Sequence, residues 1–155
     1  MQVNMAEAMV LTKVLKKFGI IDLPAKGTSM YPFIIEGDIC SFTVCKPTEL
    51  KKGDICLFLL GNGKLVAHRY YNVKQFNKEQ CLLFKGDTNL SYDEPILGDQ
   101  VLGRLTRIKR GSKTKKITSL SATVWKRLIL SLPFISYSLR LYLNKKEKYQ
   151  LHVRV

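Results

Sequence analysis

The chain has 155 residues, a formal charge of +14 and an apolar fraction of 46%. That fraction supports a packed core and excludes a chain kept unfolded by its polarity. Ten glycines, five prolines and four cysteines are too few for a collagen-like chain or a disulfide scaffold.

The charge is unevenly placed. Residues 1–103 hold 12 Lys+Arg and 11 Asp+Glu, whereas residues 104–155 hold 14 basic residues and one acid, Glu147. A near-neutral body with a basic end suits chemistry in the body and contact between the tail and a polyanion or a membrane surface.

In chain order, Met1–Gly19 is interrupted by Glu7, Lys13, Lys16 and Lys17. It has neither the continuous apolar run of a signal peptide nor the roughly 20 apolar residues of a spanning helix. With cysteines and no secretory signal, the expected location is cytoplasmic. Apolar residues at 5, 6, 9, 10, 14, 15 and 18 predict an amphipathic helix over Met5–Phe18, packed on the body or on a partner. Residues 1–22 are therefore read as an N-terminal helical segment.

Residues 23–110 are read as a β domain. Strands are predicted at Ile39–Val44, Asp54–Leu60, Leu65–Val73, Cys81–Lys85 and Val101–Arg107, with a hairpin turn at Gly61-Asn62-Gly63. The expected fold class is mainly β, a coiled antiparallel sheet with little helix inside it. Gly111–Lys116 reads as a linker. Residues 111–155 then form a basic helical extension, with Leu120–Leu143 split at Pro133. Its uninterrupted stretch Leu128–Leu139 is 12 residues, too short to cross a bilayer. Two amphipathic helices are expected, lying on an anionic membrane surface with Lys126, Arg127 and Arg140 reaching outward, docking on a partner protein, or packing their apolar face on the β body. Contact with the membrane would make the chain peripheral at the inner membrane face. Nucleic acid is not an expected partner.

The chemistry-bearing residues lie in the β domain. Gly27-Thr28-Ser29-Met30-Tyr31-Pro32 can hold a serine hydroxyl on a tight turn. Gly-Asp-Ile occurs at 37–39 and again at 53–55. Ala67-His68-Arg69 and Lys85-Gly86-Asp87-Thr88-Asn89 follow, with Asp93 six residues after Asp87. A serine hydroxyl is a weak nucleophile until a base removes its proton, and histidine does this near neutral pH. Ser29 and His68 are 39 residues apart, so only the fold can join them. A carboxylate usually orients such a base; Asp87 is the first choice and Asp93 its competitor. Lys64 and Lys85 are poorly spaced to serve as the base. His152, the other histidine, lies in the tail. Cys40, Cys45, Cys56 and Cys81 have no metal-site spacing and read as small core residues, so neither a metal nor a cofactor is expected.

These motifs, in this order and spacing, resemble signal peptidase I, in the Ser/His branch of the endoplasmic-reticulum, archaeal and sporulation-type enzymes. The resemblance spans about Leu23 to Leu105. It implies the β catalytic core of that family and a serine endopeptidase with Ser29 as nucleophile and His68 as base. It also implies an oxyanion site at the Ser29 N–H, lacking a hydroxyl two residues earlier because Gly27 stands there. Gly27, Met30, Tyr31 and Pro32 would contact a peptide or preprotein that has small residues before the cut and is bound as an added strand. The chain departs from the family in having no N-terminal membrane helix. That departure favours a leader peptide cut in a dedicated peptide-maturation pathway. Two alternatives remain: a relative of the self-cleaving repressors, and a basic membrane- or nucleic-acid-binding module without activity.

Overall fold

A computed structural model describes residues 5–153, with side chains from Glu7 to Gln150, and holds seven strands and three α-helices there. Residues 1–4 and 154–155, and the His152 side chain, lie outside the described residues. The elements are α1 (Met5–Phe18), β1 (Ile20–Pro24), β2 (Ile39–Thr43), β3 (Ile55–Leu59), β4 (Leu65–Phe76), β5 (Glu79–Lys85), β6 (Val101–Arg110), β7 (Lys113–Lys116), α2 (Leu120–Ser131) and α3 (Phe134–Val153).

The strands make one antiparallel sheet in the order β1-β2-β6-β3-β4-β5. Strand β6 is its hub. It pairs with β2 from Arg104 to Lys109, with β3 from Val101 to Arg104, and with β7 from Arg107 to Arg110. Register shifts at Ser41/Phe42, Leu57/Phe58 and Tyr70/Asn72 mark bulges, which bend and coil the sheet.

Alternating apolar side chains fill two clusters. One gathers Leu15 of α1, Leu23, Phe42, Leu57, Leu105 and Ile108 beneath Ala122 of α2. The other stacks Phe58 on Phe84, with ring centroids 4.4 Å apart, beside Tyr70 and Ile96. Burying each such side chain contributes roughly 1.5–3 kcal/mol.

Three expectations need correction. Lys113–Lys116 is not a linker but the return arm of a hairpin, pairing with Arg107–Arg110. Its side chains are mostly exposed, so composition alone resembled a loop; backbone pairing on β6 decides the structure. Strand β1, paired with β2 from Ile20 to Pro24, straddles the anticipated boundary at residue 22. In α1 the buried face is Ala8 and Leu15 with half-buried Leu11, whereas Met9, Val10 and Phe18 are exposed. The division at Pro133 stands, with α2 ending at Ser131 and α3 beginning at Phe134.

The cysteines are free, and Cys40, Cys56 and Cys81 are buried in the sheet. Burial pushes the Cys40 thiol up to about 12 and raises Cys56 well above its usual value. Both are protonated packing groups at neutral pH.

The loop between β1 and β2 carries Ser29 and is closed at its base by Asp38. Ala25 N–H donates to the Asp38 carbonyl at 2.7 Å. Arg110 grips the Asp38 carboxylate through Nε at 2.8 Å and Nη2 at 2.7 Å, and Ile35 N–H adds a bond at 2.9 Å. Burial alone would raise the Asp38 pKa; the Arg110 and Ile35 bonds outweigh it and hold the group below its usual value. The linked stability is fully present above the unfolded carboxylate value, about 3.9, and is lost as pH falls through the lower folded value. Asp38→Asn is expected to cost about 1–2 kcal/mol at pH 7, because Arg110 is half exposed and partly screened. In urea titrations the gap between wild type and variant should close as pH falls below about 4. A gap that persists there would assign the loss to packing instead.

Candidate active site

The loop Ala25–Asp38 turns sharply at Ser29. Tyr31 N–H bonds the Thr28 carbonyl at 3.0 Å and Ile34 N–H bonds the Met30 carbonyl at 2.9 Å. This places the half-buried Ser29 side chain beside His68, which β4 presents from across the coiled sheet. Ser29 Oγ lies 2.9 Å from His68 Nε2, and His68 Nδ1 lies 2.7 Å from Asp93 Oδ2. With Nδ1–H donating to the carboxylate, Nε2 is left as acceptor for the serine hydroxyl. The Phe58 ring meets the imidazole edge-on at 6.3 Å and closes its apolar side. Both partners of the His–Asp pair are largely shielded from water, with 9% and 15% side-chain exposure.

Asp93 therefore replaces Asp87 as the residue on His68, which corrects the first sequence choice. Asp93 is set by its own N–H, which bonds the Phe84 carbonyl at 2.9 Å. Asp87 faces another way, fully buried. It accepts from Arg69 Nε and Nη2, each at 2.8 Å, and from the Trp125 indole Nε1 at 2.8 Å. Arg69 follows His68 in the strand, so the alternation of β4 sends the two side chains to opposite faces. The histidine meets the serine while the arginine takes the nearer aspartate.

The segment 86–88 braces the Ser29 loop from behind. Thr88 N–H donates to the Ser29 carbonyl at 3.0 Å, and the Thr88 hydroxyl donates to the Thr28 carbonyl at 3.2 Å. Gly86 permits this approach, since a β-carbon there would stand 2.8 Å from the Ser29 carbonyl oxygen. Among the described residues the Ser29 N–H makes no backbone hydrogen bond.

A cleft of about 440 Å³ opens at this pair, bordered by residues 23–27 at the end of β1 and 64–68 at the start of β4. Strand β1 is the edge of the sheet, and β5 pairs with β4 only from Arg69 onward. The cleft is mostly apolar, with Leu23, Ile34, Phe42 and Val66 in its walls. Gly27 and Met30 line it as expected, but Tyr31 and Pro32 do not. The turn after Met30 carries them away, and Tyr31 stacks on Tyr142 of α3 at 6.0 Å. Lys64 lines the cleft, and Lys85 lies 5.9 Å over the Tyr71 ring.

Two contributors escaped the sequence reading, Arg69 and Trp125. The single tryptophan, set among basic residues in a helix, is the one available signal for the latter. Neither a scan of protein-family models nor a search of curated proteins returns a match for this chain.

Separate duties for the two aspartates can be measured without any substrate. Asp87→Asn leaves Arg69 buried beside a neutral amide and should cost about 3 kcal/mol or more in urea unfolding. Trp125→Phe removes one bond to a buried charge and should cost about 1.5–3 kcal/mol. Asp93→Asn, which keeps an oxygen able to accept from His68 Nδ1, should cost about 1 kcal/mol or less. A larger loss for Asp93→Asn than for Asp87→Asn would reverse this assignment.

Proposed function

We propose that the chain is a serine endopeptidase that cuts a peptide or leader-peptide precursor, with Ser29 as nucleophile, His68 as general base and acid, and Asp93 as the group that orients the imidazole. The observation that carries this reading is the continuous bond path from Ser29 Oγ to His68 Nε2 and from His68 Nδ1 to Asp93, at the floor of a cleft. Ser29 Oγ attacks the scissile carbonyl as Nε2 takes its proton. The proton then passes to the leaving amine, and water, activated by the same nitrogen, hydrolyses the acyl-serine. The oxyanion is received by the Ser29 N–H.

The cleft supports an extended substrate. Its borders at 23–27 and 64–68 come from strand ends, so backbone groups there suit a peptide added as a strand. Met30, buried beside Ser29 and lining the cleft, restricts the residue before the cut to a small side chain. The resemblance to signal peptidase I points the same way. No described helix is long and apolar enough to cross a membrane. A substrate met in the cytoplasm, in a peptide-maturation pathway, fits free cysteines better than an oxidising compartment does.

The experiment is fluorophosphonate labelling of the intact chain, followed by mass-spectrometric profiling of cleavage in a peptide library. Ser29→Ala and His68→Ala should each abolish labelling and lower turnover by on the order of 10⁴-fold or more. Asp93→Asn should lower kcat by on the order of 10²–10⁴-fold at nearly unchanged folding. Wild-type levels of cleavage in Ser29→Ala would end the reading.

A further inference from the structure

Helix α2 has two apolar faces, and the body covers one of them. Ala122 and Ile129 are buried, Trp125 bonds Asp87, and the Lys126 stem lies against the turn at Gly53, where a β-carbon would stand 2.5 Å from its Cδ. This inner set recurs at helical spacing, and it holds Lys126 away from the outward role that its sequence suggests. The opposite stripe is Leu120, Val124 and Leu128, four residues apart, exposed at 81%, 48% and 40%. Helix α3 repeats the arrangement. Ser136 and Leu143 are buried, while Phe134, Tyr137 and Leu141 stand out at 63%, 55% and 51%.

Basic residues accompany both stripes. Arg127, Arg140, Lys145, Lys146 and Lys148 are exposed on the same two helices, and Glu147 is the one acid from Leu120 to Gln150. We infer that the outer faces of α2 and α3 form a docking surface for an anionic lipid bilayer, on which the two helices lie flat. Apolar stripes with exposed phenylalanine and tyrosine fit the headgroup boundary, and arginine and lysine beside them meet lipid phosphates. No described helix is long and apolar enough to cross the bilayer, so the helices lie on it. A second copy of the chain is a poorer occupant, because pairing this face with itself brings like charges together. A nucleic acid would use the charge but leave Leu120, Val124, Leu128 and Phe134 in water.

This proposal is independent of the peptidase reading, and its test needs no activity. The intact chain is sedimented with vesicles rich in phosphatidylglycerol and with vesicles of phosphatidylcholine alone. Partitioning should be at least tenfold stronger for the anionic vesicles. The triple variant Leu128→Gln, Phe134→Gln, Leu141→Gln should lose that binding while keeping a cooperative unfolding transition. The triple variant Lys145→Glu, Lys146→Glu, Lys148→Glu changes only exposed side chains and should weaken binding at least fivefold, which keeps the test valid if the first variant unfolds. Equal partitioning into both vesicle types, or none, overturns the proposal. So does undiminished vesicle binding by the charge variant. Binding of a DNA duplex that survives the glutamine changes, without vesicle binding, would assign the surface to nucleic acid. A dimer in analytical ultracentrifugation that the glutamine changes dissolve, again without vesicle binding, would assign it to a second copy.

Discussion

The buried Asp87 carboxylate is the constraint around which the site is organised. A carboxylate with no solvent exposure is tolerable only when fully bonded, and this one accepts from Arg69 twice and from Trp125 once. Arg69, itself almost fully buried, spends its remaining nitrogen on the Gly53 carbonyl at 2.9 Å. Four separate pieces of chain thus meet at one charge pair: the strand that holds His68, the turn before β3, the segment that braces Ser29, and the first C-terminal helix. None can shift far without stranding a buried charge. The position of Ser29 Oγ against His68 is inherited from that requirement.

The same device appears twice more in weaker form. Asp38 and Asp54 belong to the two Gly-Asp-Ile elements, and each accepts from a backbone N–H three residues earlier, Ile35 and Lys51 respectively. Each also meets an arginine of β6, Arg110 on Asp38 and Arg104 on Asp54 at 3.2 Å. Both pairs are more exposed than Arg69–Asp87 on the arginine side, so their charges are more screened. The two motifs that look like chemistry in sequence are turns that launch β2 and β3 and pin them to the hub strand. Their contribution to the site is indirect: Asp38 closes the loop that carries Ser29, and Gly53 supplies its carbonyl to Arg69.

Much of this was legible in the sequence where one signal acted alone. Helix Met5–Phe18 follows from a local 3.6-residue period and a glycine stop, and the hairpin at Gly61–Gly63 from residues suited to its turn. Ser29 is marked by the turn motif Gly27–Pro32 around it, and His68 by the fact that the other histidine, His152, lies in the tail. The choice between Asp87 and Asp93 was not legible, since both sit at plausible distances along the chain. Strand alternation at His68 and Arg69 decides it, and so does the counter-charge Arg69, whose need for a buried partner is a tertiary fact. Lys113–Lys116 looks like a loop in the sequence for a related reason. Its identity as a strand comes from the β6 edge that receives it, not from its own residues.

The C-terminal helices show why composition alone assigns a tail poorly. Fourteen basic residues after Gly103 suggest a separate appendage, yet Ala122 joins the main core and Trp125 completes the bonding of Asp87. Tyr142 reaches the far side of the Ser29 turn by stacking on Tyr31. One helix pair therefore carries outward apolar stripes with basic flanks and inward contacts to both halves of the site. A rigid link of this kind fixes the cleft's orientation relative to whatever the outer face meets. It also sets a limit on that contact: a surface that drew α2 outward would take the indole from Asp87, leave a buried carboxylate short of a donor, and loosen the brace behind Ser29. Docking and site geometry are compatible only if the helices bind by their outer faces while the inner ones stay seated, and that is the division of residues that α2 displays.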